Sequence, residues 1–336
     1  MEDAISHPRN TRVAVVTGGN RGIGLEVCRQ LASNGVAVVL TAVDEKMGAE
    51  AVEKLKGLAL SEVLSHQLDI TDASSIARLA DFLKTRFGKL DILVNNAAVS
   101  GVVYLQHHAD GSVTSGEMVS FTSSASHTFM DVFCSSICCC VRQFKGMDRD
   151  ERIEWMWGNC RETYDAAKEG LQTNYYGTKH VTEALLPLLQ ASSDGRIVNV
   201  SSDFGLLRHF RNEELKQELN DTDTLTEERL DELLAMFLKD FESGRVEASG
   251  WPSAFAAYKV AKAAVNAYSR ILARRHPELR VNCAHPGYVR TELTLHSGLL
   301  TPEEGAGNVV EVALLPERGA ATGAFFEEGR ELASFV

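Results

Sequence analysis

Through the first hundred residues, short aliphatic and β-branched runs alternate with amphipathic stretches. Residues 13–16, 36–40, 63–68 and 90–94 are strand-like. Between them, residues 23–33, 45–56 and 73–87 place apolar side chains three and four positions apart, which predicts helices. The first of these should stop at Asn34-Gly35, a usual C-terminal signal. Most of the strand runs are continuously apolar rather than alternating, as in strands covered on both faces. Strands separated by helices of this length predict βαβ units and a parallel sheet.

The alternation resumes with a long helical segment over 162–189 and a strand over 196–200. Leu230, Leu233, Leu234, Phe237, Leu238 and Phe241 then fall at helical spacing, the mark of an amphipathic helix packed against a neighbour. An alanine-crowded helix over 254–273 and strands over 279–283 and 323–326 complete the pattern. The whole reads as one doubly wound α/β domain over 11–334, a parallel sheet with helices on both faces. A helical insertion at about 207–250 interrupts it. So does an aperiodic insert at about 104–147, too long for an ordinary connection. That insert holds Cys134, Cys138, Cys139 and Cys140. Three consecutive cysteines do not all reach one tetrahedral metal and the spacing is not a finger, so no metal site is expected.

Residues 17–24 read Thr-Gly-Gly-Asn-Arg-Gly-Ile-Gly at the junction of the first strand and the first helix. A turn there can set backbone N–H groups against a pyrophosphate at the helix N-terminus. Glycine permits both the close approach and positive φ. Gly18, Gly22 and Gly24 are the candidates, with Asn20, Arg21 and Ile23 between them. A glycine-rich run alone says little, but at this junction of an alternating fold it points to a dinucleotide site.

Composition narrows the partners. The 336 residues carry a formal net charge of −12, so the chain lacks the positive footprint that nucleic acid or an anionic membrane requires. No apolar run reaches the roughly 18–20 residues that span a bilayer. The first eight residues show no secretory signal, and seven cysteines with four clustered do not resemble an extracellular disulfide framework. A cytoplasmic protein without nucleic-acid or membrane partners is expected. A serine hydrolase is disfavoured, since no Gly-x-Ser-x-Gly elbow occurs.

The Thr-Gly-x-x-x-Gly-x-Gly spacing, with Asn95-Asn96-Ala97 after the fourth strand, resembles the short-chain dehydrogenase/reductase family. The resemblance covers residues 11–103 and about 148–334. It implies a Rossmann-type fold, a nicotinamide cofactor and a catalytic quartet of Asn174, Ser202, Tyr258 and Lys262. It also implies cofactor contacts from Asn95, from Asp69 and Ile70 at the adenine, and from Pro286, Gly287, Val289 and Thr291 over the nicotinamide end. The tyrosine–lysine spacing occurs three times, at Tyr164/Lys168, Tyr175/Lys179 and Tyr258/Lys262. Only the third follows the serine-bearing strand and precedes the Pro-Gly loop, so it is the expected pair. A free tyrosine, with a pKa near 10, is a poor acid–base group at neutrality, and an ammonium one helical turn away should lower it. Tyr258 is thus expected as the general acid/base, Lys262 as its modulator and ribose ligand, and Ser202 as the group orienting the carbonyl oxygen. Asn174 is expected to hold a water that links Lys262 to solvent.

Ala42 stands where NAD-preferring relatives usually carry an acid, and Arg21 can face a 2′-phosphate. Both favour NADP(H) over NAD(H), whereas Val43 and Met47 replace arginines that close NADPH-using relatives carry. The long stretch between Ser202 and Tyr258 resembles monomeric carbonyl reductases and their plant branch, in which added helices cover the association surface. The expectation is a monomeric, NADPH-dependent reductase of a small apolar ketone or aldehyde, able to run in reverse as a secondary-alcohol dehydrogenase, of a plant secondary-metabolism type. The alternative is a cofactor-binding protein with little turnover. It is motivated by Val43, Met47, the insert, and Ala98, which stands where the family usually has glycine.

Overall fold

Val13–Val16 (β1) and Ala37–Ala42 (β2) are buried at every position, so neither strand has a wet face. The computed structural model describes residues 11–60, 62–107, 113–115, 144–221, 223–316, 321–332 and 335. Between β1 and β2 runs Gly22–Ser33 (α1), followed by Glu45–Lys56 (α2), Val63–Gln67 (β3), Ala73–Arg86 (α3) and Ile92–Asn95 (β4). Each helix in this half lies within two residues of its predicted span. Asp44 and Asp72 start α2 and α3 by accepting from the Met47 and Ser74 amides.

The predicted aperiodic insert opens instead as a strand. Val103–His107 (β5) pairs antiparallel with Val113–Ser115 (β6) and with Cys160–Arg161 (β7), making a small second sheet. The clustered cysteines at 134–140 lie outside the described residues. Arg149–Gly158 (α4) follows, started by a capping box in which Asp148 and Glu151 satisfy each other's amides. The helix expected from 162 begins at Tyr164, because Thr163 caps it, and it is not continuous. Tyr164–Leu171 (α5) passes through a π-turn at Gln172–Gly177 before Thr178–Gln190 (α6).

Arg196–Val200 (β8) enters the sheet as predicted. The insertion before Tyr258 holds Glu213–Asn220 (α7) and Glu227–Glu242 (α8), and α8 buries Leu230, Leu233, Leu234 and Phe237. Ala256–Arg275 (α9), Arg280–His285 (β9) and Pro302–Ala313 (α10) follow. The chain closes with Phe325–Glu327 (β10) and Arg330–Leu332 (β11), a hairpin whose last strand the pattern did not predict.

The main sheet runs β11-β10-β9-β8-β4-β1-β2-β3, parallel throughout except β11. Successive residues on its strands face opposite layers. Val15, Leu93 and Ile197 pack with Leu83 of α3 and Leu185 of α6. Ala14, Val94 and Val198 pack with Leu31 of α1 and Val309 of α10. Strand order reverses between β1 and β4, so the loops leaving their C-terminal ends diverge and open a crevice there.

Candidate active site

The turn leaving β1 shapes one end of that crevice. Gly18 and Gly22 sit at φ +62° and +54°, where other residues are strained. A Cβ on Gly24 would stand 2.3 Å from the Gly18 carbonyl oxygen and 2.6 Å from Asn96 Nδ2, so only glycine lets the turn fold this tightly. The first turn of α1 has no side-chain cap and no acidic residue, leaving its amides to serve a ligand. These are the requirements of a pyrophosphate cradle, and the residues present fit one.

Gly18, Asn20, Arg21, Gly22, Ile23 and Gly24 line the cleft, together with Asp69 and Ile70 further along it. Asp69 Oδ1 accepts from the Thr71 amide at 2.9 Å and the Thr71 hydroxyl at 2.7 Å, so it also builds its own turn. Val43, Asp44 and Met47 form the wall past β2. Opposite the glycine turn, Pro286, Gly287, Val289 and Thr291 line the other side, and the Thr291 methyl lies 3.5 Å from where a Gly22 Cβ would be.

Asn95 is corrected. Its Nδ2 donates to Thr182 Oγ1 at 3.0 Å and Asn199 Oδ1 at 2.8 Å, which ties it into the interior away from the cleft. Side chains alternate at a strand end, so the neighbouring Asn96 faces the turn instead. Asn96 Nδ2 donates to the carbonyls of Thr17 and Gly18. Ala98, also on the cleft wall, keeps a negative φ, so its methyl introduces no backbone strain.

Ser202, Tyr258 and Lys262 meet at the other end. Ser202, two residues beyond β8, caps the 3₁₀ turn Asp203–Gly205, its Oγ accepting from the Phe204 amide at 3.1 Å. That turn packs directly on α9: a Cβ on Gly205 would lie 2.8 Å from the Lys262 carbonyl carbon and 2.9 Å from Asn266 Nδ2. Glycine there is what brings the serine against the tyrosine helix. The helix itself is entered through Ala254 and Phe255, two successive left-handed residues at φ +51° and +52°. Strain of this kind persists where surrounding packing imposes it, often at functional sites.

Two expected relationships differ. Lys262 Nζ donates to the Val200 carbonyl at 2.7 Å and stands 5.6 Å from the centroid of the Tyr258 ring. Burial pushes Lys262 down to about 8. Tyr258 is raised rather than lowered, first by burial and then by the Asp203 charge, against a hydrogen bond with Ser202 that lowers it. Desolvation is the largest of these effects. Asn174, in the π-turn, spends both ends of its amide on Val99: Oδ1 accepts from the amide at 2.8 Å and Nδ2 donates to the carbonyl at 2.9 Å. Its side chain clamps the segment leaving β4 and does not line the cleft.

The competing pairs fall elsewhere. Tyr175 is fully buried against Tyr176 and Tyr268, and Lys179 pairs with Asp231 and Glu227. Pattern reading missed the apolar wall around Tyr258, made by Phe204, Phe255, Ile153, Met156 and Leu293. Phe204 and Phe255 follow Ser202 and precede Tyr258 closely enough to have been inferred; the α4 residues had no such signal. Trp155 and Trp157 are packing residues, edge-on to Phe144 and Phe255. Among the described residues, no cluster of His, Cys, Asp or Glu could hold a metal ion.

Comparison with known proteins places this geometry. The short chain dehydrogenase family model matches residues 12–137. Short-chain dehydrogenase/reductase 1 of Saponaria officinalis is 44% identical over 328 residues, 97% of each chain. The (+)-neomenthol dehydrogenase of Arabidopsis thaliana is 44% identical over 94% of this chain and 95% of its own. Human carbonyl reductase [NADPH] 1 is 35% identical over 90% of this chain and 91% of its own. The structure of salutaridine reductase from Papaver somniferum superposes with a TM-score of 0.77 at 45% identity, covering 94% of this chain and 99% of that one.

Proposed function

The chain belongs to the short-chain dehydrogenase/reductase family, and from that premise we propose that it reduces a ketone or aldehyde with NADPH, and runs the reverse oxidation of a secondary alcohol at the same site. One observation carries the reading. Tyr258, Ser202 and Lys262 line the same cleft as a glycine turn that accepts no side chain at Gly24.

NADPH, when bound, supplies the hydride. The glycine turn and the first turn of α1 would hold its pyrophosphate, Arg21 its 2′-phosphate, and Lys262 with the Pro286–Thr291 segment its nicotinamide end. The chain's own work is proton transfer. Tyr258 gives its phenolic proton to the carbonyl oxygen, and takes it back from the alcohol in reverse. A positioned acid of this kind contributes about 10²–10⁴-fold. Ser202 hydrogen-bonds the same oxygen and fixes its direction. Phe204, Phe255, Met156 and Leu293 exclude water and favour an apolar substrate. Asn174 acts by fixing the path of Val99, which lines the cleft.

Monomeric behaviour is supported by α8, whose apolar side is already filled by its own chain. A cytoplasmic location agrees with the acidic chain, and no helix among the described residues is long and apolar enough to cross a membrane. A place in plant secondary metabolism is supported by the similarity to salutaridine reductase of Papaver bracteatum and (+)-neomenthol dehydrogenase of Arabidopsis thaliana. The test is cofactor oxidation with NADPH and NADH on a panel of apolar ketones and aldehydes. Turnover with NADPH, lost in Tyr258→Phe, is expected. Equal rates in the variant would overturn the role of Tyr258, and cofactor binding without turnover on any carbonyl would favour a binding protein.

A further inference from the structure

A carboxylate stands where the proposed chemistry would least suit one. Asp203 follows Ser202 and is buried at the cleft wall. Ser202 Oγ donates to Asp203 Oδ1 at 3.1 Å, and the Asp203 charge disfavours the phenolate of Tyr258. An unbalanced buried carboxylate is strongly unfavourable, so its partners matter. Arg149, the first residue of α4, forms an ion pair with it, while Arg208 Nη2 lies 3.9 Å and His285 Nε2 3.7 Å away. Burial pushes His285 below its ordinary value, leaving the imidazole uncharged near pH 7. Arg149 is therefore the close compensating charge. Burial favours a neutral Asp203, yet in the acid range, where His285 is charged, His285 first and then Arg149, Ser202 and Arg208 hold it below the usual carboxylate value.

The remaining charged and titratable groups are few. His209 Nε2 donates to the Asp203 backbone carbonyl at 3.1 Å. Lys259 feels Asp203 as well as Glu162. Tyr258 is faced by Ser202, Asp203, Lys262 and Tyr104. Along the reacting edge the order is Tyr258, Ser202, Asp203, Arg149. Arg149 comes from a helix outside the strand–loop–helix frame that supplies the other three.

We propose that Asp203 is a positioning residue that holds the Ser202 hydroxyl until a substrate binds, and that Arg149 is the counter-charge that keeps Tyr258 usable beside it. The inference rests on the reductase reading. In the free enzyme Asp203 accepts the hydrogen bond of the Ser202 hydroxyl, and a bound carbonyl oxygen takes that hydrogen bond over. Arg149 offsets the field that would otherwise drive the phenolate still higher. The active site's acidity is thus set partly by α4.

The test is the pH profile of kcat/KM for alcohol oxidation, in which Tyr258 acts as base. Asp203→Asn should move the rising limb to lower pH, and Arg149→Gln should move it to higher pH. Asp203 stays ionised on that alkaline limb even without its arginine. One unit of displacement corresponds to about a tenfold change in rate on the limb. Arg149→Lys should leave the limb near its original position. Asp203→Asn/Arg149→Gln should return toward the Asp203→Asn profile rather than add the two losses. Profiles that overlay the parent in both single variants would overturn the proposal, as would simple additive losses with no displacement. Absence of turnover in the parent itself would strike at the reductase reading instead, so the two failures are distinct.

Discussion

Lys262 gives its ammonium to the Val200 carbonyl at 2.7 Å, one helical turn beyond Tyr258 and beneath its ring. The lysine is buried to 4% exposure and sits near 8 instead of its ordinary 10.5. A lysine depressed in this way binds fewer protons in the folded state than in the unfolded chain between those two values. Its burial penalty is therefore fully present below pH 8 and is relieved as pH rises from about 8 to 10.5. Relative to Lys262→Met, the parent protein should gain stability across that window, by at most about 3 kcal/mol. Denaturant unfolding of both proteins between pH 7 and 10 measures the difference. A constant gap would mean that Lys262 keeps an ordinary affinity for its proton.

Gly24 bears on cofactor binding. A methyl group at Gly24 must displace the Gly18 carbonyl, 2.3 Å away, because backbone cannot yield as a side chain would. Gly24→Ala should cost about 1–3 kcal/mol of stability through overpacking, and should weaken NADPH binding more than that loss alone would explain. Titration of cofactor fluorescence against the folded variant reads it. Unchanged affinity would remove the glycine turn from the cofactor site.

The Asn174 clamp predicts a structural effect where a purely catalytic residue would give none. Asn174→Ala leaves the Val99 amide and carbonyl buried without their partners, at about 1–3 kcal/mol for each group left unsatisfied. Its melting temperature should fall clearly below that of Tyr258→Phe. A variant as stable as the parent but inactive would return Asn174 to the water-holding role.

How far the sequence speaks can be judged from these same residues. Continuous apolar runs gave the parallel strands, because burial on both faces leaves little room for polar residues. The order of Ser202, Tyr258 and Pro286 was enough to separate Tyr258 from two decoys. What the sequence could not carry was direction within a site. Asn95 and Asn96 are adjacent and identical, and only the end of β4 decides which one meets Gly18. The Lys262 ammonium was expected to act on the phenol, but the strength of desolvation depends on packing from residues as far apart in the chain as Val102, Met156, Phe204 and Phe255. Two helices also escaped the pattern. For α10 the signals were present, in Thr301, Pro302 and Glu304. For α4 the apolar residues are too few to set a period, although it supplies Arg149 to the cleft.

The helix before Tyr258 yields the last prediction. Phe237 is fully buried in α8, with Trp251 at 5.4 Å and Phe241 at 5.8 Å between ring centroids. Trp251 Nε1 also donates to Asp240 at 3.0 Å, so the same cluster anchors the far end of α8. Beneath it, Lys179 holds Asp231 and Glu227, and Arg275 holds Glu227. Phe237→Ala removes the centre of this packing and should cost about 3–5 kcal/mol. The loosened helix would expose the apolar residues it now covers on α5 and α9. The parent should sediment as a monomer, and the variant should show concentration-dependent association together with its lower melting temperature. A variant that is destabilised yet strictly monomeric would mean that α8 supports the fold without guarding an association surface.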